Sequence, residues 1–172
     1  AFALPGSPVA ADLAANRITY AETPPASPVA EWRAIHFAPG DADGAPEADP
    51  DGDGIPNLME YALGLDPRAA SREGLPQAGQ LTTNGNRFLT LTFSMVTLAS
   101  DLRYVVEASS NLVQWTAGSS YSGTNGAAAN PVTMEVSRSG LGLETVTVRD
   151  QTAAGTPGRF LRLRVEGKAA IK

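Results

Sequence analysis

The chain has 172 residues, of which 42% are hydrophobic and none is cysteine, and its formal net charge is −5. The length suits one domain with a small appendage, and the lack of cysteine excludes disulfides, cysteine nucleophiles and thiolate metal sites. An acidic chain without a basic patch does not suit nucleic acid, and no apolar run approaches the roughly 18 residues of a membrane span. We therefore expect a folded domain that binds no nucleic acid and has no membrane span.

Residues 1–28 are rich in alanine and proline and contain one short strand-like stretch, residues 17–20. This composition predicts an extended N-terminal arm. A strand-like stretch in such an arm can add to the sheet of a neighbouring copy. We therefore consider a homo-oligomer or filament that is joined through the arm.

Residues 29–67 predict a helix, a loop and a second helix. The first helix covers residues 29–38, and its expected contacts are three apolar side chains, Trp32, Ile35 and Phe37. Pro56 suits the first turn of the second helix, because its missing N–H costs nothing there. Gly64 suits the position that ends this helix, and Pro67 prevents it from continuing.

The acidic loop, residues 49–60, has the pattern of an EF-hand calcium loop. Ca²⁺ takes six to eight oxygen ligands, which such a loop supplies from positions 1, 3, 5, 7, 9 and 12. Gly54 stands at position 6, where the sharp turn requires a residue that tolerates positive φ. Position 7 contributes a backbone carbonyl, so its side chain is free to be apolar. The six predicted calcium ligands are Asp49, Asp51, Asp53, Ile55, Asn57 and Glu60.

The charge distribution supports a cation in this loop. Residues 41–60 hold seven acids and no base, whereas the rest of the chain has a net charge of +2. Carboxylates at this density repel one another unless a cation lies among them. A second ion near Asp41, Asp43 and Asp66 is left open, because no complete loop pattern includes them. Since extracellular calcium fills sites of this type, we expect the protein to be secreted, either extracellular or at a cell surface.

The remaining chain predicts a connector and then a β-sandwich. Residues 68–86 are the connector, in which Asn84-Gly85 signals a turn. Over residues 87–168 apolar and polar residues alternate with a period of two, which is typical of half-buried strands. Six predicted strands lie within residues 89–95, 102–108, 113–115, 132–136, 146–148 and 161–165. The predicted fold class is thus mainly β, an antiparallel β-sandwich with a short helix–loop–helix unit and an extended N-terminal arm.

No constellation of residues predicts catalysis. His36 has no evident partner and suits a surface or packing role, and no serine lies in a Gly-x-Ser-x-Gly turn. Five acids at positions that suit solvated outer faces are scattered along the sandwich: Asp101, Glu107, Glu135, Glu144 and Asp150. Of the aromatic residues, Tyr104 and Trp115 are predicted on apolar faces, and only Tyr121, in the predicted loop of residues 118–130, is left open for stacking on a sugar.

Residues 49–57 resemble the Asp-rich loops of thrombospondin type 3 repeats and the EF-hand-like loops of dockerins. The chain is also similar to modules near the C-termini of large secreted proteins of environmental bacteria. This similarity includes residues 60–67, the Trp-containing helix before them and the strand-rich segment of residues 105–115 after them. This resemblance covers most of residues 30–166. It implies an extracellular accessory or surface module with calcium and no catalytic residues. A dockerin has two loop–helix repeats, whereas this chain has one complete loop.

The expected function is therefore that of a non-catalytic, secreted, calcium-stabilised structural or adhesive protein, which in one version assembles with itself through its N-terminal arm. The alternative is a carbohydrate-binding accessory module of a larger secreted enzyme, with a polysaccharide as its partner.

Overall fold

The structure is a computed structural model that describes the backbone of residues 8–12 and 17–20 and all of residues 27–123, 125–127, 130–155 and 158–168. The helical elements are α1 (Pro28–His36), a 3₁₀ turn (Ala42–Gly44) and α2 (Asn57–Leu63). The strands are β1 (Pro8–Asp12), β2 (Arg17–Tyr20), β3 (Gln77–Thr83), β4 (Asn86–Val96), β5 (Leu102–Ser109), β6 (Thr116–Tyr121), β7 (Thr133–Leu141), β8 (Leu143–Asp150) and β9 (Phe160–Gly167). The predicted mainly β class is confirmed.

Strands β3 to β9 form two antiparallel sheets that pack on each other. One sheet has the order β3-β4-β8-β7 and the other the order β6-β5-β9. Phe93 of the first sheet lies between two tyrosines of the second, with ring centroids 6.5 Å from Tyr104 and 5.9 Å from Tyr121. Val146 and Val148 of β8 complete this buried layer. The predicted antiparallel β-sandwich is thus present.

Helix α2 joins the same core. Tyr61 and Ala62 belong to the buried cluster that contains Phe93. The hydroxyl of Tyr104 donates a hydrogen bond of 2.8 Å to the carbonyl of Ala62. Gly64 ends the helix with φ of 73°, the left-handed conformation that glycine adopts readily. The acidic loop, which leads directly into α2, is therefore held against the sandwich.

Helix α1 begins one residue before its predicted start and ends two residues before its predicted end. Two of the three predicted contacts are confirmed, because Trp32 packs against the core and Phe37 is buried. Val29 and Trp32 pack against the core, and the ring of Trp32 lies 5.5 Å from that of Tyr61. Ile35, the third predicted contact, is 78% exposed, because it lies six residues after Val29 and is therefore turned about 120° away from it around the helix.

The predicted connector contains a strand. Residues 77–83 form β3, which pairs with β4 through a tight turn at Asn84 (φ 50°) and Gly85 (φ 75°). Both turn residues have positive φ, as a two-residue hairpin of type I′ requires. Alternation did not predict β3, because this edge strand is mostly exposed and shows no buried face.

Two predicted apolar faces on the second half of the sandwich are wrong. The strand predicted at residues 113–115 is a loop in which Val113 is 80% exposed, and the next strand, β6, begins at residue 116. The side chain of Asn111 accepts hydrogen bonds from the backbone N–H groups of Val113 and Gln114 and so fixes this loop. In β7, Met134 and Val136, which were predicted on the apolar face, are exposed.

The buried residue of β7 is Thr133, because its hydroxyl bonds to a neighbour across the sandwich. Its Oγ1 accepts a hydrogen bond of 2.6 Å from the backbone N–H of Ser119 and donates one of 2.8 Å to the Ser119 hydroxyl. Further along the strand, the register of β7 on β8 shifts between Glu135 and Ser137. A threonine thus occupies the inward position that the alternation gave to apolar side chains.

The strand-like stretch of the predicted arm forms β2 and pairs with β1 of the same chain in antiparallel fashion. Residues 1–7, 13–16 and 21–26 of the arm lie outside the described residues. Neither α1 nor α2 has the length and apolar character of a membrane-crossing helix, and this holds for every helix in the part of the chain that the structure describes.

Candidate metal centre

The acidic loop gathers its three aspartates around one point. Asp49, Asp51 and Asp53 each place one carboxylate oxygen within 4.8 Å of the other two. Backbone N–H groups hold them there: Asp49 accepts hydrogen bonds from Gly52 (3.0 Å) and Gly54 (2.9 Å). Both glycines have positive φ, 76° and 90°, so the chain curls tightly around the carboxylates.

The two predicted ligands at the start of α2 are buried. Asn57 and Glu60 are each 1% exposed. The amide nitrogen of Asn57 donates to the carbonyls of Asp43 (2.6 Å) and Ala45 (2.8 Å), which fixes the orientation of the side chain and leaves its oxygen available. The side chain of Ile55 is also buried, an arrangement that suits a residue whose carbonyl alone is a ligand.

Buried oxygen atoms without a hydrogen-bond partner concentrate in this loop. Within the described residues, four buried side-chain polar atoms lack a partner, and three of them are Asp51 Oδ2, Asn57 Oδ1 and Glu60 Oε2. The fourth is the hydroxyl oxygen of Tyr121. An unsatisfied buried polar group costs about 1–3 kcal/mol, and more when charged, so folded proteins keep very few. A cation bound by all three residues would give these acceptors a partner, although the carboxylate of Glu60 is not in the group that Asp49, Asp51 and Asp53 form.

The electrostatics of Glu60 also favour a cation. Burial, together with the charges of Asp51, Asp53 and Asp49, raises the pKa of Glu60 to about 7. Like charges so close together disfavour ionisation. A divalent cation among these carboxylates would stabilise their ionised forms.

Two residues distant in sequence close the loop from outside. The backbone N–H of Ser71 donates to Asp53 Oδ2 (3.0 Å), and the guanidinium of Arg72 donates to the Asp53 carbonyl (3.3 Å). The sequence analysis missed both residues. They lie in a segment without periodicity, and no motif links them to the acidic loop.

Two of the three acids considered for a second ion, Asp41 and Asp66, have protein partners. Asp41 accepts a hydrogen bond from the N–H of Asp43 (3.0 Å) and lies 3.6 Å from the guanidinium of Arg68. The carboxylate of Asp66 accepts a hydrogen bond from the backbone N–H of Arg68 (3.0 Å) and lies 3.9 Å from His36 Nδ1. In the described ranges, the carboxylates of Asp49, Asp51 and Asp53 are the only group of three or more metal-ligating side chains that converge.

Two acids that were predicted on solvated outer faces are buried in ion pairs. Glu107 is 6% exposed and accepts hydrogen bonds from Arg162 (2.8 Å) and Arg164 (2.9 Å). Asp150 is fully buried and accepts two hydrogen bonds, of 2.7 and 2.8 Å, from the guanidinium of Arg159. The prediction failed because a strand pattern does not reveal which cation lies opposite an acid on the next strand.

The remaining three acids also have polar partners. Glu135 and Glu144 both bind the guanidinium of Arg138, at 3.1 and 3.0 Å. Asp101 accepts hydrogen bonds from the hydroxyl of Tyr61 (2.8 Å) and the N–H of Val29 (3.0 Å), and so ties both helices to the sandwich.

The aromatic residues considered for sugar stacking have little free surface. Tyr121 belongs to β6 and is 2% exposed, and Tyr104 is fully buried. Trp115 is partly buried, and the guanidinium of Arg162 lies over its ring at 4.1 Å from the centroid. His36 packs on Trp32, with ring centroids 4.9 Å apart, which agrees with its predicted packing role.

Comparisons with models of protein families, with curated proteins and with solved structures find no match to this chain. The interpretation of the acidic loop therefore depends on its own geometry.

Proposed function

We propose that the chain is a non-catalytic, secreted structural protein whose fold is stabilised by a calcium ion in the acidic loop. The six predicted calcium ligands would hold it, Ile55 through its backbone carbonyl and the others through side-chain oxygens. The proposal is carried by the unpartnered buried oxygens of Asp51, Asn57 and Glu60. Because the donor set contains only oxygen, with neither imidazole nor thiolate, it suits a hard cation. The number of ligands favours Ca²⁺ over Mg²⁺.

A stabilising role follows from the place of the loop in the fold. Glu60 lies in α2 immediately before Tyr61 and Ala62, which belong to the core. An ion bound by Glu60 therefore holds the helix that covers the sandwich. A ligand that binds only the folded state adds about 2.7 kcal/mol of stability at 100 times its Kd. For an extracellular protein without disulfides, calcium would supply a comparable constraint.

Thermal unfolding with calcium and with chelator tests the proposal. Calcium at 100 times its Kd should raise the midpoint of the wild-type chain by about 5–10 °C. Glu60→Gln should lose most of this increase, because it removes a buried anionic ligand. The matched control is Glu47→Gln, which makes the same change at an exposed acid outside the loop and should keep the increase.

Calorimetric titration gives an independent measurement of the same site. We expect one calcium ion per chain and much weaker binding of magnesium. An unchanged midpoint of the wild-type chain, or an equal increase in Glu60→Gln, would contradict the proposal.

A further inference from the structure

The described sheets of the sandwich end in four edge strands, and three of them carry features that hinder pairing with another chain. Strand β9 carries charged side chains, among them Arg162, Arg164 and Glu166. Strands β6 and β7 each have a register shift, and the bonds between Ser119 and Thr133 join them to each other. Charges and bulges of this kind are the usual protection of sheet edges.

Strand β3 has none of these features. Its seven residues, Gln77–Thr83, include no charged residue and no proline. All seven pair with β4 in an uninterrupted register, and the other edge of β3 pairs with no described strand. Gln77, Ala78, Gly79, Gln80 and Thr82 are exposed. An edge that is regular, neutral and exposed presents a row of backbone N–H and C=O groups ready to pair.

We propose that β3 pairs in antiparallel fashion with β3 of a second copy of this chain, so that two four-stranded sheets become one sheet of eight strands. A two-fold axis places each N–H opposite a C=O of the same strand in the other copy, so the edge is complementary to itself. With the axis at Gln80, Gly79 of one copy lies opposite Leu81 of the other, so the leucine side chain meets a residue that has no side chain. The two Gln80 residues then lie side by side.

Charge does not oppose a second copy as the occupant. The excess of acids lies in residues 41–60, and β3 itself is neutral, so two copies can pair through β3 without opposing like charges in the strands. Strands β1 and β2 of the N-terminal arm form a separate two-stranded sheet, and assembly through the arm is one outcome of the test below. This inference concerns assembly and does not depend on the calcium site.

A charge exchange at Gln80 tests the proposal on the full-length chain by sedimentation equilibrium in calcium. The wild-type mass should rise twofold with concentration. Gln80→Lys and Gln80→Glu, each alone, place like charges opposite each other and should raise the concentration for half-association by about tenfold or more. An equimolar mixture of the two variants should associate again, because opposite charges then meet.

Gln114→Lys is the matched control, because it places the same charge at an exposed glutamine in a loop, and it should associate like wild type. Circular dichroism of each variant verifies that it folds. A wild-type chain that stays monomeric at all concentrations would overturn the proposal. Undiminished association of both Gln80 variants would also overturn it, because the contact would then lie elsewhere, for example in the N-terminal arm. An equimolar mixture that stays monomeric would overturn it too. These outcomes are independent of the calcium-dependent midpoint.

Discussion

Asn57 shows that one residue can have two separable roles. Its amide nitrogen binds the carbonyls of Asp43 and Ala45 and so links the 3₁₀ turn to α2. Its amide oxygen is a predicted ligand and has no protein partner. The spacing of the acidic loop predicts the role of the oxygen. It does not predict the role of the nitrogen, because the two carbonyls lie outside the twelve-residue pattern.

Substitutions measured in chelator separate these two roles. Asn57→Ala should lower the free energy of unfolding by about 1–3 kcal/mol even without calcium, because two part-buried hydrogen bonds to backbone carbonyls are lost. Glu60→Gln should not lower it under the same conditions, because the change relieves repulsion from Asp51 and Asp53. Urea unfolding of both variants in chelator provides the measurement. An Asn57→Ala variant as stable as wild type in chelator would show that Asn57 has no structural role apart from the ion.

Among the elements, those with a local signal are predicted well. The acidic loop is recognisable from its own twelve residues, and α2 from Pro56, its apolar residues and Gly64. Strands β4 and β5 are recognisable because one face of each is buried and apolar. In each case the residues that determine the structure are neighbours in sequence.

The elements that were mispredicted depend on distant partners. Strand β3 is defined by its pairing with β4, and the inward face of β7 by the bonds of Thr133 to Ser119. The burial of Glu107 depends on two arginines of β9, a strand about 55 residues further on. No local pattern contains this information, and for the same reason the contacts of Ser71 and Arg72 with the acidic loop were missed.

The pairing of β5 with β9 predicts a pH dependence of stability. Burial alone would raise the pKa of Glu107, but the hydrogen bonds and charges of Arg162 and Arg164 outweigh it and hold the pKa below its ordinary value of 4.5. A carboxyl group whose pKa is lower in the folded state stabilises the protein above pH 4.5, and this contribution is lost as the pH falls through the folded-state pKa. We expect Glu107→Gln to be less stable than wild type at pH 7 and to approach it at low pH.

Thermal midpoints between pH 3 and pH 7 in chelator provide the comparison for this prediction. The exposed Glu73 supplies the control, since Glu73→Gln should follow the wild-type profile. A difference between Glu107→Gln and wild type that does not change with pH would show that the ion pair adds no proton-linked stability.

At the scale of the whole molecule, the helical unit and the sandwich share one core. Tyr61 and Ala62 pack with Phe93 and Tyr104, and the hydroxyl of Tyr61 binds Asp101 of the sandwich. A contact surface of this kind couples the unfolding of both parts. The helical unit therefore cannot unfold alone without exposing part of the core that it shares with the sandwich.

This shared core predicts that calcium stabilises the entire chain. Calorimetry should show one transition that moves to higher temperature with calcium. Hydrogen exchange should slow at the most protected amides of β4 and β5 as well as in α2, since these open only on global unfolding. If calcium protected α2 alone, the helical unit would be a separate folding unit.

The strand order has a consequence for how fast the chain folds. Thr92 of β4 lies beside Thr147 of β8, and Glu107 of β5 beside Arg162 of β9, each pair 55 positions apart. Strands β4 and β5 thus each need a partner that is synthesised long after them, and sheets with such distant pairings fold in milliseconds to seconds rather than microseconds. The acidic loop, by contrast, closes over twelve residues at a small entropic cost. During synthesis, the proposed ligands emerge from the ribosome before any strand of the sandwich has its complete set of neighbours.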